Sequence, residues 1–160
     1  MALSSDPPPV VTGLPPEAGV ASLYQEIILS HYRAPKHKGT LADGGAAIEH
    51  SNPLCGDVMS VQLTIDAGRI VNAGFAARAC SITQATASML LDRVIGGSVA
   101  DAEAVMTGVE RLIESAAPLT ESESDELGDL RALASVSRFP ARKACVRLVL
   151  GAVRERLASA

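Results

Sequence analysis

In the stretch VMSVQLTIDAGRIVNAGF, residues 58–75, the apolar side chains Met59, Val61, Leu63 and Ile65 alternate with Ser60, Gln62, Thr64 and Asp66. A period of two puts each set on its own face of an extended chain, so residues 58–66 read as a half-buried strand. Asp66-Ala67-Gly68 supplies a turn, and Val71, Ala73 and Phe75 then alternate with Ile70, Asn72 and Gly74. The two runs form an antiparallel hairpin. Residues 46–51 are expected to lie beside it as a third strand, despite the low strand preference of Ala46 and Ala47.

Outward from the hairpin the period changes to that of helices. After Cys80, the residues Ile82, Ala85, Met89, Leu90 and Val94 share a stripe that Gly96-Gly97 closes. Val105, Val109, Leu112 and Ile113 mark another helix over about 99–116. Residues 117–129 carry Glu121, Glu123, Asp125, Glu126 and Asp129 between Pro118 and Gly128, and read as a solvated acidic insert. A short helix near 130–136 and a final one from Phe139 or Pro140 to Leu157 follow. Toward the N-terminus, Leu23, Ile27 and Ile28 recur at helical spacing between an N-cap at Ser22 and the stop at Ala34-Pro35. Residues 1–20, with Pro7, Pro8, Pro9, Pro15 and Pro16, offer little to bury and read as a disordered leader. The expected fold is α+β: a small antiparallel three-stranded sheet packed against about five helices, in one domain over residues 21–160.

Composition narrows the function. The chain has 160 residues, 48% hydrophobic, enough for one core. A formal net charge of −4 with 2% aromatic residues argues against nucleic acid as a partner, because neither phosphate neutralisation nor base stacking is provided for. No apolar run approaches a membrane-spanning length, and the N-terminus lacks a basic region followed by an apolar stretch, so a cytoplasmic location is expected. Three cysteines do not make the even framework of a small secreted protein, and reduced thiols are the better assumption.

Those thiols, Cys55, Cys80 and Cys145, are too far apart in sequence for spacing to be diagnostic. Their places are more informative. Cys55 precedes the first clear strand, while Cys80 and Cys145 are expected at or near the first turns of two helices. There the partial positive charge of unpaired backbone N–H groups favours the anionic, metal-binding form. Arg142 and Lys143, just before Cys145, would add to that effect. Asp57 follows Cys55 across Gly56, where the backbone can bend sharply enough for carboxylate and thiol to face one point. Three thiolates and a carboxylate suit a tetrahedral zinc ion or an asymmetric site for iron and sulfide. The alternative at this stage is three small buried thiols.

Four segments weigh against that alternative: Leu23-Tyr24-Gln25-Glu26-Ile27-Ile28-Leu29-Ser30-His31-Tyr32, Asn52-Pro53-Leu54-Cys55-Gly56-Asp57, Ala79-Cys80-Ser81-Ile82-Thr83-Gln84-Ala85 and Phe139-Pro140-Ala141-Arg142-Lys143-Ala144-Cys145. In this order they resemble the signatures of the IscU/NifU-like family of iron–sulfur cluster assembly proteins. The long stretch between Cys80 and Cys145, and Phe-Pro-Ala-Arg-Lys-Ala where the IscU branch has its chaperone motif and adjacent His, resemble the SufU branch. The chain departs from the family pattern at Ala79, usually Gly, and over Arg33–His37.

The resemblance implies a zinc ion held by Cys55, Asp57, Cys80 and Cys145, a SufS-type cysteine desulfurase as partner, and downstream Suf cluster-assembly proteins as recipients. It further implies that a desulfurase residue replaces one cysteine on the zinc, after which the released thiolate accepts sulfur. Cys55 is the candidate acceptor, because a loop bounded by Pro and Gly can move. Arg142 is a candidate anion-stabilising neighbour of the site. The rival reading is a scaffold that builds an iron–sulfur cluster on the same four residues, and a third is a purely structural zinc module. His31 reads as a packing or hydrogen-bonding residue, and His37 and His50 as surface or strand positions.

Overall fold

The structure, a computed structural model, describes residues 16–159 apart from 43, 44, 46, 54, 55, 116 and 117. Strands β1 (Ile48–Asn52), β2 (Asp57–Asp66) and β3 (Arg69–Arg78) form one antiparallel sheet in that order. Helices α1 (Pro16–Arg33), α2 (Ser81–Val94), α3 (Val99–Glu114), α4 (Glu121–Leu127) and α5 (Pro140–Ala158) pack with it, joined by a 3-10 helix over Gly128–Val136. The expected α+β architecture of three strands and five helices is the one found.

The hairpin follows its pattern up to one place. Met59, Val61 and Leu63 are buried and pair with Ala77, Phe75 and Ala73 across the strand. Thr64 pairs with Asn72 but Ile65 with Ile70, which leaves Val71 as an extra residue on β3. A bulge of this kind rotates the chain and exchanges its faces. Ile70 therefore becomes fully buried and Val71 is half exposed, the reverse of what strict alternation predicts. The displaced backbone also gains partners: Ile70 donates to the Gly97 carbonyl, and Gly96 donates to that of Ile70. The bulge thus ties the end of the sheet to the α2–α3 connection.

The turn residues Ala67 and Gly68 have φ of 50° and 77°. A two-residue hairpin loop that matches strand twist needs positive φ at both positions, which costs an L-residue with a Cβ about 1 kcal/mol. Ala67→Gly is accordingly expected to stabilise the protein by about 1 kcal/mol, read as a rise in denaturant midpoint at unchanged slope. A midpoint at or below that of the parent would show the turn to be unstrained.

α2 runs through the middle of the molecule. Its residues Ile82, Ala85, Ala87, Met89, Leu90, Leu91 and Val94 are buried, as are Thr83, Thr86 and Ser88. A helix buried on nearly all sides needs small residues where neighbours approach, which Ala85, Ala87 and Ser88 supply. Among the other helices, α5 places Val146, Val149, Leu150 and Val153 in the same core.

The first helix begins six residues before the expected Ser22, with Pro16 in its first position, where a missing N–H costs nothing. Residues 16–20 of the expected leader are therefore helical, and residues 1–15 lie outside the described ones. Leu23, expected in the apolar stripe, is 52% exposed, whereas Ile28 is buried. The inward face is Tyr24, Ile27, Ile28 and His31.

The acidic insert is also more ordered than expected. Thr120 accepts a hydrogen bond from the Glu123 N–H and caps α4, and Leu127 is buried against Gly108 of α3. Short-range capping chemistry and one buried leucine make a helix of a segment whose charge suggested a loop. Asp129, at its end, accepts from His31 Nε2 at 2.8 Å, while Ser88 meets His31 Nδ1 at 2.7 Å and takes the Lys36 N–H. His31 is thus a hydrogen-bonding residue that joins α1 to α2 and to the 3-10 helix. His37 bonds Asp92 on the surface of α2, and His50 lies in β1 at ion-pair distance, 2.9 Å, from Glu155.

Candidate metal centre

Three elements converge where the sheet meets the start of α2. Asn52 and Asp57 pair at the turn end of the β1–β2 hairpin, and Gly56 between them has a φ of 73° and donates to the Asn52 carbonyl. The glycine is required there, because an L side chain would be strained. Asp57 emerges from this turn as the first residue of β2 and is 5% exposed. Its partner in sequence, Cys55, lies outside the described residues.

Cys80 is the N-cap of α2, in extended conformation, and its thiol makes no capping hydrogen bond. Asp57 serves the helix start instead: Oδ1 accepts from the Cys80 N–H at 3.2 Å and Oδ2 from the Thr83 hydroxyl at 2.7 Å. The carboxylate thereby satisfies a helix-end donor from another element, and the Cys80 thiol is not consumed by the cap. It is exposed, and its Sγ donates to Cys145 Sγ at 3.4 Å.

Cys145 comes from α5 and is 4% exposed, with its thiol 3.4 Å from the Ala141 carbonyl one turn earlier. It is the sixth residue of that helix, near the first turn as expected but just beyond it. The favourable end charge of a helix fades beyond the first turn, so this contribution belongs to Cys80 and not to Cys145. Arg142 is placed one turn before Cys145, with its guanidinium 4.6 Å above the ring of Phe139, which is 46% exposed.

Ligand atoms of Asp57, Cys80 and Cys145 all lie within 4.8 Å of one another. The sequence separations are long, and it is the fold that unites them. Two thiolates on a tetrahedral zinc, with Zn–S near 2.3 Å, sit about 3.8 Å apart. The observed 3.4 Å needs to open by only a few tenths of an ångström. The donor set fits zinc, and its sulfurs equally suit iron. Thr83, fully buried, has a role that the cysteine and carboxylate pattern did not reveal. Its signal was the position three residues after an N-cap, where side chains engage the helix start. A cavity of about 210 Å3 lies elsewhere, between α2, α3 and α4, and none of these ligands lines it. The candidate centre lies apart from it and reaches solvent through Cys80, while Asp57 and Cys145 are buried. No helix among the described residues is long and apolar enough to cross a membrane.

Fold and site together are those of a small α+β protein with a cysteine and carboxylate cluster that could hold a metal ion. The family described as the NifU-like N terminal domain matches residues 23–146, and the chain belongs to this family, that of the IscU and SufU iron–sulfur cluster assembly proteins. It is 35% identical over 133 residues to the iron–sulfur cluster assembly scaffold protein IscU of Streptococcus pyogenes serotype M1, covering 83% of this chain and 81% of that one. It is 32% identical over 131 residues to the zinc-dependent sulfurtransferase SufU of Bacillus subtilis strain 168, covering 82% and 86%. In fold it matches the crystal structure of a NifU-like N-terminal protein from Brucella abortus with a TM-score of 0.74 at 23% identity, over 88% of this chain and 97% of that one.

Proposed function

We propose that this protein is a sulfur acceptor and carrier that holds zinc through Cys55, Asp57, Cys80 and Cys145 and takes persulfide sulfur from a SufS-type cysteine desulfurase. The observation that carries the reading is the cluster of Asp57, Cys80 and Cys145, in which Asp57 and Cys145 are buried and Cys80 opens it to solvent. A site open to solvent suits exchange with a protein partner better than turnover of an enclosed small molecule. When bound, zinc keeps the thiols as subdued anions and stabilises the folded chain. Cys80 and Cys145 are anchored to α2 and α5, whereas Cys55 lies in sequence between Pro53 and Gly56, which supports Cys55 as the acceptor. Its thiolate attacks the terminal sulfur of the partner's cysteine persulfide. A new S–S bond forms at Cys55, the partner's S–S bond breaks, and the partner's cysteine leaves as a thiolate, with no external oxidant. The likeness to the zinc-dependent SufU supports this reading, as does the absence from the sequence of a histidine beside Cys145. Downstream Suf cluster-assembly proteins would receive the sulfur, and a cytoplasmic location suits that route.

The second reading, an iron–sulfur cluster scaffold on the same residues, is favoured by the likeness to the IscU of Streptococcus pyogenes. Protein purified without oxygen separates the two. Zinc at about one ion per chain in colourless protein, together with faster cysteine-dependent sulfide release by a SufS-type desulfurase, is the expected result. Brown protein carrying iron and sulfide, and a desulfurase indifferent to it, would establish the scaffold instead.

A further inference from the structure

The Thr83 hydroxyl lies between two of the candidate ligands. It donates to Asp57 Oδ2 at 2.7 Å and stands 3.5 Å from Cys80 Sγ. A hydroxyl has one proton, and the shorter contact to a carboxylate shows where it goes, which leaves an oxygen lone pair toward the thiol. Thr83 is fully buried in α2, and a β-branched side chain in a helix has restricted χ1 freedom, so the hydroxyl is held in place.

We infer that Thr83 is a positioning residue of the metal centre, whose hydroxyl fixes the orientation of the Asp57 carboxylate toward the point shared with Cys80 and Cys145. The inference rests on the metal-binding reading above. A carboxylate held by one donor alone turns easily about its terminal torsion, for which the rotational wells are broad. Here the Cys80 N–H holds Oδ1 and the Thr83 O–H holds Oδ2, so both oxygens are fixed in orientation. The same hydroxyl borders Cys80 Sγ, so loss of its proton donor also alters the polarity beside that thiolate. Partners that orient ligands in this way commonly change metal affinity by about 10–100-fold when removed.

The test compares the parent chain with Thr83→Val, which keeps the shape and deletes the hydroxyl, and Thr83→Ser, which keeps the hydroxyl. Zinc affinity is read by competition with a chromophoric chelator, and ligand geometry by the visible absorption of the cobalt(II)-loaded protein. Thr83→Val is expected to bind zinc about 10–100-fold more weakly and to shift the cobalt bands, with Thr83→Ser restoring both. A merely structural threonine would lower the melting temperature of the metal-free protein and leave affinity and cobalt spectrum at their parent values, and that result overturns the proposal. Should Thr83→Val not fold, Thr83→Ala carries the same comparison. A parent chain that takes up neither zinc nor cobalt overturns this proposal together with the metal reading, whereas normal uptake with an unaltered Thr83→Val overturns this one alone.

Discussion

Cys80→Ser and Cys145→Ser are each expected to reduce zinc from about one ion per chain to a trace after dialysis against a chelator, while the protein stays folded. The metal loss follows from the ligand set, since an uncharged hydroxyl is a poor substitute for a thiolate on zinc. Retention of the fold follows from the surroundings. Cys80 occupies the N-cap of α2 without a capping bond, and serine is among the best residues for that position, so the metal-free variant should be at least as stable as the metal-free parent. At Cys145 the new hydroxyl can bond the Ala141 carbonyl that the thiol already faces at 3.4 Å. Melting curves with and without zinc make the distinction. Free zinc at a hundred times its dissociation constant adds about 2.7 kcal/mol of stability to the parent, and that increment should vanish in both variants. Stoichiometric zinc retained by both would refute the ligand assignment.

How much of this was legible in the sequence depended on the range of the interaction involved. The β2–β3 hairpin was plain because its alternation is local, and so were the periodic helices after Cys80 and toward the C-terminus. The bulge at Val71 was not, because its cause lies elsewhere: Ile70 is drawn into backbone bonds with Gly96 and Gly97, more than 25 residues further on. The exposure of Leu23 and the earlier start of α1 likewise depend on what packs beside that helix. In the acidic insert, net charge outweighs the capping signal at Thr120 and the single buried Leu127, so the sequence suggests a solvated insert where the fold has a helix. At the candidate centre the residue types and the resemblance point to the candidate ligands, of which the structure brings Asp57, Cys80 and Cys145 together. Only the fold shows that Asp57 is held by the start of α2, that Cys145 sits in a second turn, and that Arg142 lies over Phe139.

Cys55 and Asp57 should part company when mutated, although they stand two residues apart. Cys55→Ala is expected to abolish stimulation of a SufS-type desulfurase and to leave the chain folded, since it removes the sulfur acceptor and spares the α2 start. Asp57→Ala acts on two levels. It takes away the acceptor of both the Cys80 N–H and the Thr83 hydroxyl, groups that are then left without it near the core. Each such loss costs about 1–3 kcal/mol, so the metal-free variant should melt well below the parent. It also removes one of the four proposed donors and leaves three thiolates with a solvent ligand, so zinc should be held more weakly than in the parent, by at least the factor expected for Thr83→Val, and desulfurase stimulation should fall with it. Asp57→Asn separates the two levels: it keeps one acceptor oxygen for the helix start, and its melting temperature should lie between those of the parent and Asp57→Ala. The measurements are zinc content, thermal melting and cysteine-dependent sulfide release on the same preparations, with the modified thiol mapped by mass spectrometry after a short reaction. Persulfide on Cys80 or Cys145 and never on Cys55 would remove the acceptor assignment, and full stimulation by Cys55→Ala would remove the carrier mechanism itself.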